Sequence, residues 1–217
     1  MPTPTRKWLE ASEIHPMFPT FVWKVRLRRE VYEAANAAVL DLIARLRGPS
    51  TELAAGSAWQ SAHDLQDLPE LRELVACFHD AVRSVLRFLR VSYDDFAITG
   101  CWANLYAPGA AHRMHTHPNN FLSGVYYVRT AEGANTINFH DPRAQTAIIR
   151  PPVTALTREN ADQVVMPVEP GVLLLFPAFL PHSVDENRSA TARASLSFNV
   201  MFRDFTETVA KPMWGEE

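Results

Sequence analysis

His112-Arg113-Met114-His115-Thr116-His117-Pro118-Asn119-Asn120 places three histidines within six positions. It lies between a candidate strand at Gly100–Tyr106 and a clearer one at Ser123–Arg129. Side chains of an extended segment alternate in direction, so His115 and His117 point the same way. Two imidazoles on one face are the start of a metal site, and a third ligand must come from elsewhere. His182, in Phe176-Pro177-Ala178-Phe179-Leu180-Pro181-His182-Ser183-Val184, is the best candidate. The gap from His117 to His182 is long enough for the chain to travel round a barrel and return. The expectation is therefore a mononuclear iron site inside a β-barrel.

Working outward, turn residues divide the second half of the chain into about eight short candidate strands. These are Ala97–Tyr106, Arg113–His117, Leu122–Thr130, Asn135–His140, Thr146–Arg150, Gln163–Met166, Gly171–Phe176 and Ala192–Phe202. Short strands at that density suggest an antiparallel jelly roll, closed or double-sheeted. The first half reads differently. Phe21–Leu27 alternates as an opening strand. From Glu30 the apolar period becomes helical, through Val31, Ala35, Val39, Leu42 and Leu46, until Gly48-Pro49 stops it. Pro69 suits the first position of a second helix, with an apolar stripe through Leu74, Phe78, Val82 and Leu89. The fold class is mainly β with flanking helices, both packed on the outside of one sheet. One domain spans 1–217: strand and helical support to residue 95, a jelly-roll core over 96–204, and a C-terminal tail from 205.

The composition sets outer bounds. The chain has 217 residues, 47% hydrophobic and 21% charged, which suits an ordinary globular protein able to bury a core. A net charge of −3 gives no electrostatic case for nucleic acid. No run of 18 apolar residues reads as a membrane span. The opening Met1–Trp8 lacks the apolar core of a signal peptide, so the expected location is cytoplasmic. Two cysteines, Cys77 and Cys101, make no disulfide framework and are expected as buried free thiols.

The last strand adds the next piece. In Arg193-Ala194-Ser195-Leu196-Ser197-Phe198-Asn199-Val200, the residues Arg193, Ser195, Ser197 and Asn199 share one face and the apolar residues share the other. If the apolar face meets the helices, the polar face looks into the barrel. An arginine there needs an anion, because an unpaired buried charge is costly. Its guanidinium matches a carboxylate bidentately, so Arg193 is placed to hold the far end of a dicarboxylate whose other end chelates the metal. The contrary reading puts Arg193 on the surface of a sheet edge. Trp102, Asn104 and Tyr106 share a face, and Asn104 either bonds a ligand carboxylate or caps a turn. Of the adjacent Tyr126 and Tyr127 only one faces inward, and Tyr127 is taken with Arg193, Asn104 and Ser195 as the co-substrate set. Gly124 leaves room for a backbone or a ligand. His112, His140, Asn119 and Asn120 are weaker candidates for a place behind the metal, on the surface or in turns. Asp141 reads as a turn former, yet it is the nearest carboxylate should His117 not bind.

Taken together, His115–Val128, Phe139-His140-Asp141-Pro142-Arg143, Leu175-Phe176-Pro177, His182-Ser183-Val184 and Arg193–Asn199 resemble the 2-oxoglutarate/Fe(II)-dependent oxygenase family. Met17-Phe18-Pro19-Thr20 and Trp59-Gln60-Ser61 extend the likeness over most of the chain. The resemblance implies a double-stranded β-helix, cupin-like, holding Fe(II), with 2-oxoglutarate and O2 as co-substrates. It also implies that Arg193 holds the distal carboxylate and that hydroxylation is coupled to formation of succinate and carbon dioxide. The wider superfamily places a carboxylate where His117 stands. The stretch also resembles aspartyl/asparaginyl β-hydroxylases, which manage with two histidines and water. His115 and His182 are therefore the firmer ligands, and His117 is either the third or stands behind the metal. Two other readings stay open. One is a three-histidine thiol dioxygenase without 2-oxoglutarate, and the other is a non-catalytic cupin-like module that binds a metal or small ligand. The substrate, a small molecule or a peptide, is not legible. A homodimer is permitted by the sheet edge and the helix faces.

Overall fold

The computed structural model describes residue 8 and residues 10–48, 53–92, 95–143 and 151–203. Among the described residues ten strands run antiparallel in two sheets. They are β1 (Trp23–Arg26), β2 (Ala58–Gln60), β3 (Phe96–Tyr106), β4 (His112–His115), β5 (Leu122–Arg129), β6 (Thr136–His140), β7 (Gln163–Pro167), β8 (Val172–Pro177), β9 (His182–Val184) and β10 (Arg193–Phe202). The major sheet has the order β1-β8-β5-β10-β3-β2, and the minor sheet the order β4-β9-β6-β7. This is a jelly-roll arrangement, with two helices, α1 (Arg29–Arg47) and α2 (Arg72–Phe88), preceding most of it.

Both helices form for the reasons legible in their sequence. The buried faces are Val39, Leu42 and Ile43 on α1, and Leu74, Phe78, Val82, Val85 and Leu86 on α2. Gly48, at φ 67°, takes the left-handed position that closes α1, and its N–H reaches the Arg45 carbonyl. Pro69 starts a short 3-10 turn, Pro69–Leu71, and the α-helix proper begins at Arg72. The helices share one apolar cluster with Cys101, Ala103 and Leu105 of β3, Tyr126 and Val128 of β5, and Leu196 and Phe198 of β10. Phe78 lies flat on Phe198, 4.5 Å between ring centroids at 11°. One polar residue pins this layer. Buried Asn36 of α1 donates to the Val128 carbonyl at 2.9 Å and accepts from the Tyr126 hydroxyl at 2.7 Å.

The other face of the major sheet meets the minor sheet. A second apolar cluster there joins Tyr127, Ile137, Phe139, Val172, Leu174, Phe176 and Leu180. It fills one end of the sandwich and leaves the other end, under β3 and β10, to polar side chains. Several expected boundaries moved. The first strand is Trp23–Arg26, and the expected Arg113–His117 strand spans His112–His115. Two strands were not anticipated. They are β2, in the stretch between the two helices, and β9, which carries His182. Both have only three residues, too few to display a period. The expected strand Thr146–Arg150 and the tail 205–217 lie outside the described residues. Among the described residues no helix is long and apolar enough to cross a membrane.

Candidate metal centre

Sheet register brings the first two histidines together. His115 of β4 stands directly opposite His182 of β9. His117 lies beyond the end of β4, where Pro118 removes a ladder donor and Asn119 turns the chain with φ 64°. The His117 N–H donates to the Ala178 carbonyl at 2.9 Å, which ties it to the turn between β8 and β9. The three imidazoles converge: each offers one nitrogen, and these nitrogens all lie within 4.8 Å of one another. Ring centroids are 4.2 Å apart for His115 and His182, 5.0 Å for His115 and His117, and 5.2 Å for His117 and His182.

Two of the three rings have a fixed tautomer. His115 Nδ1 lies 2.9 Å from the Arg113 carbonyl, and His182 Nδ1 lies 3.0 Å from the Leu180 carbonyl. A carbonyl only accepts, so each Nδ1 carries the proton and each Nε2 keeps its lone pair. Metal ligands are oriented in this way. Burial, with repulsion from the neighbouring histidines, pushes His182 down to about 3 and His117 down to about 4. Both are therefore neutral near pH 7, the form that ligates.

The rings border a cavity of about 280 Å³ that opens beneath the polar face of β3 and β10. Arg193 lines it as well and is only 4% exposed. One guanidinium NH2 donates to the Thr136 carbonyl at 2.9 Å, while Nε is buried without a partner. Among the described residues no carboxylate pairs with it. Its guanidinium carbon sits 5.1 Å from the centroid of the Tyr127 ring, whose buried hydroxyl also lacks a partner. Burial pushes that phenol up to about 12, so it stays an O–H donor. A buried cation and a buried donor, both short of an acceptor, lie in the same sandwich as three bare imidazole nitrogens.

The remaining candidates sort by contact. Ser195 lines the cavity beside Arg193. Asn104 also lines it, but its amide is already engaged: it accepts from Gln60 at 2.8 Å and donates to the Ser197 hydroxyl at 2.9 Å. Asn199 accepts from Ser123 at 2.8 Å. Gly124 lines the cavity, and the space a Cβ would take there is held by the Phe198 ring. Asp141 is a turn former, clamped by Arg143 at 2.6 Å and outside the histidine set. His140 bonds Ser183 at 2.8 Å, Asn120 accepts from Thr99 at 2.7 Å, and neither residue lines the cavity. His112 does line it and lies against His115. Sequence reasoning missed His63, which stacks on Trp102 at 4.4 Å, and gave Gln60 no role at the site. Both come from the aperiodic stretch around β2, and only its pairing with β3 delivers them.

Residues 100–199 match the family described as "Putative 2OG-Fe(II) oxygenase". The matched stretch holds His115, His117, His182 and Arg193. It makes this core that of a 2-oxoglutarate/iron(II)-dependent oxygenase, and the chain an enzyme. No curated protein matches the chain by sequence. Among solved structures, a Pseudomonas putida prolyl-4-hydroxylase is 19% identical, with 85% of this chain and 94% of that one covered and a TM-score of 0.58. A prolyl hydroxylase from Trichoplax adhaerens, in complex with a hypoxia inducible factor peptide fragment, is 14% identical over 88% and 87%, TM-score 0.59. HygX from Streptomyces hygroscopicus, with nickel and 2-oxoglutarate bound, is 10% identical over 84% and 83%, TM-score 0.55. At these identities the likeness is one of fold.

Proposed function

We propose that this oxygenase binds Fe(II) through His115, His117 and His182 and uses 2-oxoglutarate and O2 to hydroxylate a substrate that enters beside Trp102. The observation that carries this reading is the pairing in one cavity of three convergent imidazoles with a buried arginine whose Nε has no partner. The residues fit the implied groups. Imidazole nitrogens suit iron, and a three-histidine set leaves the ion's charge uncompensated by its protein ligands. A doubly anionic 2-oxo acid matches both ends, chelating the metal and meeting the Arg193 fork. When bound, iron and 2-oxoglutarate supply an oxidation in which O2 converts the oxo acid to succinate and carbon dioxide and adds one oxygen atom to a C–H bond of the substrate.

The chain's own contribution is placement. Arg193 holds the distal carboxylate, with the Tyr127 hydroxyl as a further donor, and so fixes how far the oxo acid reaches toward the histidines. The Arg113 and Leu180 carbonyls hold the His115 and His182 rings with Nε2 forward. The apolar block of Phe139, Phe176 and Leu180 keeps water from one side. The amide chain Gln60–Asn104–Ser197 stiffens the wall that faces the substrate.

Anaerobic titration of the apo protein with Fe(II) and then 2-oxoglutarate tests the reading. A visible charge-transfer band of the chelated oxo acid is expected, weakened in Arg193→Ala and absent in His182→Ala. Tight iron binding without a band would instead favour the three-histidine thiol dioxygenase, to which the lack of a carboxylate in the ligand set lends its one specific support.

A further inference from the structure

β4 is irregular where it matters. Residues three apart on a regular strand point to opposite faces, so His112 and His115 should look away from each other. They do not. His112 pairs with Val184 and His115 with His182, so β4 advances three residues while β9 advances two. The extra residue is a bulge, and a bulge beside a site re-aims a side chain. Here it turns His112 inward, where its ring lies on that of His115 with centroids 4.1 Å apart at 18°. The opposite sheet holds it there. The Tyr106 hydroxyl, from the end of β3, meets His112 Nδ1 at 2.8 Å. Tyr106 is itself buried and stands opposite Arg193 in the register of β10 and β3.

We propose that Tyr106 and His112 are a positioning pair for His115: the tyrosine anchors the His112 ring, and that ring is the plate against which the metal-binding imidazole is held. This rests on the reading of His115 as a ligand. The single hydrogen bond to the Arg113 carbonyl holds one edge of the His115 ring and leaves it some rocking freedom about its last side-chain bond. The stacked plate removes that freedom and covers one face of the ring from water, so Nε2 points at the convergence of the three histidines. His112 does not join them as a fourth member of that set. It acts through His115, as an outer partner acts on a ligand.

The test compares metal affinity and ligand geometry in folded apo protein, without turnover. Fe(II) affinity is measured by anaerobic titration, and geometry by the visible ligand-field spectrum of the Co(II)-loaded protein. His112→Ala removes the plate and is expected to weaken Fe(II) binding about 10-fold or more and to shift the Co(II) bands. His112→Phe keeps a flat ring and should recover most of the affinity. Tyr106→Phe, which keeps the core packing and loses only the hydroxyl, should fall between them. His115→Ala is the reference and should lose nearly all affinity. If His112→Ala binds within twofold of the parent with unchanged Co(II) bands, while His115→Ala has lost the metal, the positioning pair is wrong and the site stands. If His115→Ala still binds like the parent, the site itself is wrong and the pair falls with it.

Discussion

β10 has two faces with opposite properties. Ala194, Leu196, Phe198 and Val200 face the helices and are at most 1% exposed, packed into the larger apolar cluster. Arg193, Ser195, Ser197 and Asn199 face the other sheet and line a cavity. Both faces belong to one strand, separated by one backbone thickness. The outer face is saturated, each ring and methyl met by another. The inner face is left incomplete, with a guanidinium nitrogen short of an acceptor. Strand alternation thus lets stability be supplied from one side and chemistry from the other, and changes on the two faces should have separable effects.

The largest expected effect lies on the outer face. Phe198→Ala empties the site between Phe78 and Gly124 and should cost about 3–5 kcal/mol in urea unfolding. Below its unfolding transition it should still bind Fe(II) like the parent. Loss of the metal from folded Phe198→Ala would break the separation of faces. The sharpest contrast comes next. Arg193→Leu should weaken 2-oxoglutarate by about 2–5 kcal/mol, read from the charge-transfer titration. The same change should leave apo stability equal or higher, because it removes a buried charge that has no carboxylate. A clear fall in unfolding free energy would mean that Arg193 is structural. Gly124→Ala is smaller and of the first kind. An added Cβ would meet the Phe198 ring at 2.3 Å, and overpacking of this sort costs about 1–3 kcal/mol.

The last effect is one of pH. Burial holds folded His182 near 3 and folded His112 and His117 near 4, whereas in the unfolded chain a histidine titrates near 6.5. Between those values the unfolded chain binds more protons than the folded one, so stability rises with pH. The apo protein should be most stable above about pH 6.5 and lose stability as pH falls toward about 4. His182→Gln should flatten that slope in a melting series. An unchanged slope would place the titration elsewhere.

How much of this was legible in the sequence depends on distance along the chain. The two faces of β10 could be read, because period-two alternation is a local property. So could the helices, with their apolar stripes and the glycine after α1. The pairing of His115 with His182 could be suspected only as a long gap. Its reality depends on the register of β4 on β9, and nothing in the sequence near either residue encodes that register. The His112 ring was harder still, since a regular strand turns it outward and only a bulge brings it in. His63 and Gln60 were out of reach for a different reason. The three residues of β2 form a strand through pairing with β3 rather than through any pattern of their own.

Cys101 follows from the same alternation. It sits on β3 next to Trp102, yet it faces the helices, is fully buried, and has its thiol pushed up to about 12 by burial. At neutral pH it is a thiol and not a thiolate, so the form that oxidants attack is absent. For an enzyme that consumes O2, that orientation bears on its working lifetime: the cysteine nearest the site along the chain is turned away from the oxidant and is chemically quiet.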